Sequence, residues 1–422
     1  MNIISDLHIH SKHSRATSKN LDLENLEKYA RIKGVNLLGT GDFTHPIWIK
    51  ELKAKLTEDE TGILKSSSGF NFLLQTEISN IYSQDGKGRR IHNIILAPNF
   101  DVVDQIIEAL GKKGRLDYDG RPIFGFGCVE LVEMMKLISQ DIEIIPAHIW
   151  TPWFSLFGSM SGFDTVEECF KDQTKHIHAL ETGLSSDPAM NWRLSQLDNY
   201  SLVSFSDSHS FWPWRIGREA TIFDLKKLTY NNLITALREK SGLKETVEVD
   251  PNFGKYHFTG HRNCNVSLEP SESLKTNNIC PACKRELTVG VLQRVEDLAD
   301  RELGFVPKGN VPFKSVLPLA ELISAVKGNS VASKSVFAEY YNIVKGTNEF
   351  EILLEKPFEE LVKITNEKIA DVIVKNREGK LRVIPGYDGV YGQLVIEGQS
   401  GKEKEIKPKI FQPSQTSLDQ YW

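Results

Sequence analysis

Nine of the eleven histidines lie at or before His209, and most stand in or at the end of a short apolar run with a carboxylate nearby. The runs are Ile3-Ile4-Ser5-Asp6-Leu7-His8-Ile9-His10, Leu37-Leu38-Gly39-Thr40-Gly41-Asp42-Phe43-Thr44-His45 and Phe72-Leu73-Leu74-Gln75-Thr76-Glu77. Then come Ile91-His92-Asn93-Ile94-Ile95-Leu96, Ile144-Ile145-Pro146-Ala147-His148 and Leu202-Val203-Ser204-Phe205-Ser206-Asp207-Ser208-His209. Apolar runs this short read as buried strands. Imidazole and carboxylate together are the ligand set of zinc, manganese and iron. Such strand ends meet only if the strands are roughly parallel and open onto one face. Between them, residues 21–30 form an amphipathic helical pattern followed by Gly34, and Val102 to Leu110 and Val129 to Ile138 also read as helices. Strand and helix in alternation predict an α/β fold with a parallel sheet and crossover helices. An open doubly wound sheet would spread the ligands along a line. A closed barrel gathers them on one rim, and is the expectation.

At 422 residues the chain is too long for one compact core. The expected division is a barrel over 1–240, a small metal-binding lobe over 241–290, a mainly helical domain over 291–404 and a tail over 405–422. In the helical part Val291, Leu292, Val295, Leu298 and Ala299 share a face, and Pro357 opens a helix continued by Phe358, Leu361, Ile364, Ile369 and Val372. Residues 381–384 and 394–396 are read as a final hairpin. A charged fraction of 25% and a hydrophobic fraction of 40% describe an ordinary globular protein. No apolar run is long enough to span a membrane, and the first residues show no basic leader, so a cytoplasmic protein is expected. Five cysteines make no disulfide framework. A net charge of −5 argues against a globally basic coat but leaves nucleic acid open, because bound cations add charge the count omits. The basic stretches Lys87 to Arg90, Lys112 to Arg115 and Lys402 to Lys409 are read as solvated loops.

His8 and His10 are two apart on a strand and point to one side. Asp207 and His209 repeat that spacing. Glu77 has two oxygens with which to bridge two ions, and His92 and His148 complete a second site. Clustered ions of this kind clamp a phosphate and acidify a water. In order and spacing these motifs resemble the polymerase and histidinol phosphatase (PHP) superfamily, over the first 230 residues or so. The resemblance implies a distorted (β/α)7 barrel that cleaves phosphoesters at a trinuclear site. It implies His8, His10, Glu77 and Asp207 on one metal, and Glu77, His92 and His148 on the second. Asp42 or His45, with His209, would serve the third. The second motif departs from the family pattern, since Phe43 and Thr44 separate Asp42 from His45. His13 is a further candidate for the third site, with an exposed loop residue as the favoured reading.

Trp150 and Trp153 follow His148, and Phe211, Trp212 and Trp214 follow His209. They form either a wall that stacks DNA bases or a loop core packed on the barrel, and both readings stay open. His261 and Cys264, then Cys280 and Cys283, have the spacing of a structural zinc site, with His257 as a substitute for His261. Cys128 and Cys169 are read as small core residues. Gln415, Leu418, Tyr421 and Trp422 match the pattern of a sliding-clamp (PCNA) interaction box.

Barrel, zinc lobe, helical domain and clamp box in this order resemble the endonuclease Q family along the whole chain. Gly254-Lys255-Tyr256-His257 and Pro385-Gly386-Tyr387-Asp388-Gly389 add to that likeness. The family implies a DNA repair nuclease that cuts 5′ to deaminated bases (uracil, hypoxanthine, xanthine) and abasic sites. It implies Zn2+ in the lobe, with Zn2+, Mg2+ or Mn2+ at the catalytic rim, and a monomeric, nucleoid-associated protein. Two alternatives are a phosphatase of small phosphomonoesters and a non-catalytic repair adaptor.

Overall fold

The computed structural model describes residues 1–396. Its main sheet runs in the order Phe313–Ser315, Leu243–Glu248, Ala220–Asp224, Asn2–Asp6, Leu37–Gly39, Asn71–Gln84, Lys87–Ala97, Glu143–Pro146. The short strands Leu64–Lys65 and Ile123–Phe124 also pair with Asn71–Gln84. A separate parallel pair joins Ala179–Glu181 to Ser201–Val203. Single bridges, Ile144 to Ile177 and Ile9 to Ser208, carry the curl across to that pair. The result is a curled half-barrel with a helical C-terminal part.

The strands are not uniformly parallel, which corrects the sequence expectation. Asn2–Asp6, Leu37–Gly39 and Asn71–Gln84 are parallel. Asn71–Gln84 and Lys87–Ala97 instead form a long antiparallel hairpin. The cause is local: Asp85 and Gly86 both adopt positive φ, 54° and 74°, in the two-residue turn that Asp-Gly favours. Glu77 and His92 therefore lie within their strands rather than at strand ends, with Ser79 opposite His92. On these strands Leu73 and Glu77 share one face, as do His92, Ile94 and Leu96. Leu73, Ile94 and Leu96 are buried with Ile145, Val203 and Phe205 in the curl. An apolar floor thus underlies the polar rim.

Helix ends follow from side-chain chemistry. Asp22 accepts from Asn25 N at the start of Leu23–Lys33, and Gly34 (φ 98°) closes it. Asn99 caps Phe100–Gly111 in the same way, and Cys128–Ile138 follows. The helix expected from Pro357 through Val372 is two, Phe358–Ile364 and Glu367–Arg377. Thr365 is extended, and the Asn366 side chain accepts from Ile369 N, which restarts the helix. Arg382–Ile384 and Gln393–Val395 form the expected hairpin. The loop between them packs on residues 252–254: a Cβ at Gly386 would lie 2.1 Å from Gly254 O, too close for any side chain. No described helix is long and apolar enough to cross a membrane. Gln415, Leu418, Tyr421, Trp422 and the stretch Lys402 to Lys409 lie outside the described residues.

Candidate active site

Two donor groups meet at the rim. His8, His10, Glu77 and Asp207 offer ligand atoms within 4.8 Å of one another, and so do Glu77, His92 and His148. In the first group His10 Nε2 is 3.3 Å from Glu77 Oε2 and 3.1 Å from Asp207 Oδ1. His8 Nε2 is 3.5 Å from Glu77 Oε2 and 3.7 Å from Asp207 Oδ1. Donors on a tetrahedral ion with bonds of about 2.1 Å stand about 3.4 Å apart, so the spacing fits one cation. In the second group Glu77 Oε1 is 2.7 Å from His92 Nδ1 and 3.3 Å from His148 Nε2. Those contacts are short but misaligned: Glu77 Oε1 and His8 Nε2 are buried without a hydrogen-bond partner. Lone pairs that aim at a shared point rather than at each other fit a pair of cations bridged by Glu77.

The outer nitrogens of the ligands are held. Glu181 Oε1 lies 2.9 Å from His8 Nδ1, and its other oxygen accepts from His148 N. Asp42 Oδ1 lies 3.0 Å from His10 Nδ1 while Oδ2 accepts from Ser11 N, Ser11 Oγ and Ser14 Oγ. Such outer carboxylates fix the tautomer and ring direction of a ligating histidine. Backbone strain gathers here as well. Asp42 (φ 45°), His148 (φ 31°) and Asp207 (φ 46°) are left-handed, a conformation costing about 1–3 kcal/mol where it is sparsely populated. Gly183 (φ 63°) abuts His148, 2.7 Å from a built Cβ to His148 Cβ.

Burial opposes charge on every group in the rim, and the neighbours outweigh it at several. Against burial, Glu181 and Glu77 hold the His8 imidazole well above its ordinary value. Glu77, despite burial, is held well below the usual carboxylate range by His92, Arg121 and His8. Asp207 is likewise low, with His209 and His10 outweighing burial. At His92 burial prevails and the pKa falls to about 4, which keeps the ring neutral as a ligand must be.

The expected third-site residues are placed differently from one another. Asp42 serves His10 as described. His45 caps the helix Pro46–Lys55, its Nδ1 accepting from Ile47 N, and stacks on His13 at 4.3 Å between centroids. His13 is therefore half-buried rather than an exposed loop residue, because the His45 ring covers it. The His209 ring lies 4.4 Å from that of His10. None of the three joins a group of three or more close donors among the described residues.

The aromatic residues divide by burial. Trp150 is fully buried, donates to Asn191 Oδ1 and packs on Phe157, so it stands in the core rather than on the surface. Phe211 and Trp214 are 6% exposed. Trp214 stacks on Trp212 and both rest on Phe337, which makes the loop after His209 a packing surface for the helical part. Trp153 is half-buried, edge-on to Tyr256. Sequence reasoning missed Glu181 and also Arg121, whose Nη1 donates to Glu77 Oε2 at 3.1 Å.

Away from the rim, His261, Cys264, Cys280 and Cys283 offer donors within 4.8 Å of one another. The lobe's own core is only Cys264, Val266, Cys280 and Leu287. His257 stands apart, buried and stacked on Phe258, its pKa pushed down to about 4 by burial. Cys128 and Cys169 are buried as expected.

A family profile described as the MJ0043 C-terminal domain matches residues 318–380. The uncharacterised protein MJ0043 of Methanocaldococcus jannaschii is 32% identical over 258 residues, 60% of this chain and 32% of that protein, so the match spans about a third of its length. The uncharacterised protein YqxK of Bacillus subtilis is 30% identical over 413 residues, covering 93% of this chain and 99% of YqxK. The crystal structure of the lesion-specific endonuclease PfuEndoQ from Pyrococcus furiosus superposes with a TM-score of 0.84 at 30% identity, over 94% of this chain and 96% of that one. Endonuclease Q in complex with a 27-mer duplex carrying an abasic lesion at its active site gives 0.85 at 30% identity, over 94% and 97%.

Proposed function

The chain belongs to the endonuclease Q family, and we propose that it cuts the DNA phosphodiester 5′ to deaminated bases (uracil, hypoxanthine, xanthine) and to abasic sites. It is a metal-dependent DNA endonuclease. The observation that carries the reading is Glu77, one buried carboxylate shared by two donor groups. We read the curled sheet with the pair Ala179–Glu181 and Ser201–Val203 as the distorted seven-stranded barrel of the PHP superfamily.

Cations held by the two groups would supply Lewis-acid polarisation of the phosphodiester and an acidified water as nucleophile, and zinc, manganese and magnesium are the candidates. The chain's own part is to fix the donors. Glu181 and Asp42 hold the outer nitrogens of His8 and His10, leaving both Nε2 atoms aimed inward. Asp207, with a carboxylate 32% exposed, lies at the open side of the first group, where a DNA strand would enter. Asp42 or His45, with His209, is proposed for a third cation, and His45 would have to leave its capping role to serve there. Trp153 and Trp212, partly exposed, are the aromatic residues proposed to meet DNA. The lobe residues His261, Cys264, Cys280 and Cys283 would hold a structural zinc. The box at Gln415, Leu418, Tyr421 and Trp422 would bind a sliding clamp.

The test uses duplexes carrying one lesion each. Asp207→Ala is expected to bind a uracil or abasic duplex as the parent protein does and to nick neither. Full nicking by that variant would overturn the metal assignment.

A further inference from the structure

Arg121 is a cation inside a rim built to hold cations. Its Nη1 donates to Glu77 Oε2 at 3.1 Å, the same oxygen that stands 3.5 Å from His8 Nε2 and 3.3 Å from His10 Nε2. A guanidinium keeps its charge at any physiological pH. Cations bound to Glu77 would neutralise the charge that now attracts Arg121 and would repel it directly. With Glu77 and Asp207 both turned to cations, the one anion left beside Arg121 would be Asp119, which Arg15 already pairs at 3.4 Å, so the guanidinium has room for a further anion. The Arg121 side chain is 25% exposed while that of Glu77 is fully buried, so the guanidinium sits between the donors and the solvent from which a nucleic-acid backbone arrives.

The loop that carries it is pinned. Gly120 N donates to His13 O at 3.0 Å, Arg121 N to Asp119 Oδ1 at 3.2 Å, and Ser79 N to Pro122 O at 3.0 Å. A Cβ at Gly120 would meet Asp42 Oδ2 at 2.2 Å, so this backbone packs directly on the carboxylate that orients His10. The backbone is thus fixed relative to the metal donors, and the long side chain alone is free to change partner.

We propose that Arg121 is a phosphate-binding catalytic residue. When cations occupy the rim it leaves Glu77 and donates its N–H fork to the two non-bridging oxygens of the scissile phosphodiester. The geometry of guanidinium and phosphate suits two parallel charge-assisted hydrogen bonds. The bonds strengthen as negative charge grows on those oxygens in the transition state, so their loss falls mainly on turnover. Arg121 makes no covalent bond and keeps its protons. This inference rests on the nuclease reading above for its substrate.

The full chain, loaded with manganese or zinc, is compared with Arg121→Ala and Arg121→Lys on a duplex with one abasic site. Arg121→Ala is expected to lower kcat about 100-fold, with the dissociation constant for DNA nearly unchanged. Millimolar guanidinium should restore part of the lost rate to Arg121→Ala and nothing to the parent protein. A second readout needs no nicking: inorganic phosphate titrated into the metal-loaded protein should bind about tenfold more weakly to Arg121→Ala. Metal content measured on the same samples should match the parent. Undiminished nicking and phosphate affinity, with tighter metal uptake, would mean that Arg121 is only a counter-ion of Glu77, and the proposal falls. A parent protein that nicks no lesion duplex would sink the nuclease reading, while the phosphate titration still decides Arg121. If Arg121→Ala melts early, Arg121→Lys and its phosphate affinity decide.

Discussion

Glu181 meets no proposed cation directly, yet two ligands depend on it. It holds His8 Nδ1 and the backbone N–H of His148 at once. Truncation to Ala frees the His8 ring to turn and leaves that N–H unpaired. Glu181→Ala is expected to weaken metal affinity about 10–100-fold, read by competition with a chelator, while added metal restores part of the nicking. A different carboxyl pair sets a pH dependence. Glu248 is buried, accepts from Thr246 Oγ1 and Thr182 Oγ1, and has its pKa pushed up to about 8 by burial. Glu219 is buried too and held well above the usual range by burial and by the charge of Glu248. The folded value of Glu248 exceeds its ordinary 4.5, so the folded state binds the proton more tightly than the unfolded chain. Its stabilising share is therefore complete below pH 4.5 and is lost as pH rises to about 8. Glu248→Gln, neutral throughout, should lose less melting temperature between pH 6 and pH 9 than the parent does. Parallel curves for the two proteins would remove the pair from the account.

The elements show why some of the site was legible and some was not. His8, His10, Glu77, His92, His148 and Asp207 could be read because each stands in or beside an apolar run, and the floor beneath the rim demands such runs. Glu181 lies on a strand only three residues long, Ala179–Glu181, and looks like any acidic residue. Arg121 sits on a loop with no periodicity to mark it. The Asp85-Gly86 turn was a readable hairpin signal, but the requirement for parallel strands hid it. Asn366 was equally readable as a helix start with Glu367 after it, and the apolar spacing from Phe358 to Val372 masked the break. Burial separates Trp150 from Trp153, and burial comes from partners distant in sequence. The nearness of His261, Cys264, Cys280 and Cys283 was legible from spacing alone, because two close donor pairs need no long-range partner. The lobe's core of four residues is too small to fold unaided. Cys280→Ser or a strong chelator is expected to loosen residues 257–290 first. Amide exchange should report this as lost protection there, with the sheet unaffected. Unchanged protection would show that the lobe stands without metal.

The curled sheet with its helices and the helical C-terminal part are joined by a buried ion pair rather than by apolar contact alone. Lys33 ends the helix Leu23–Lys33 at 1% exposure, and its Nζ donates to Glu349 Oε1 at 2.7 Å and to Pro213 O at 2.9 Å. Glu349 also accepts from Tyr340 Oη and Leu319 N. Pro213 belongs to the loop that follows His209, so one ammonium ties the helical part to the chain just behind the rim. Removing one partner of a buried pair strands the other charge, at a cost of about 3–5 kcal/mol. Lys33→Met should therefore lower the melting temperature sharply. In Lys33→Met with Glu349→Gln no charge is stranded, and the amide can still accept a hydrogen bond, so much of the loss should return. The two effects are neighbours and will not add. The double variant separates stability from function: if its melting temperature recovers while nicking stays low, the pair positions the loop behind His209 as well as holding the parts together. Recovery of both would make the pair a structural latch and nothing more, and equal instability of single and double variants would show that the hydrogen bonds, not the charges, hold this junction.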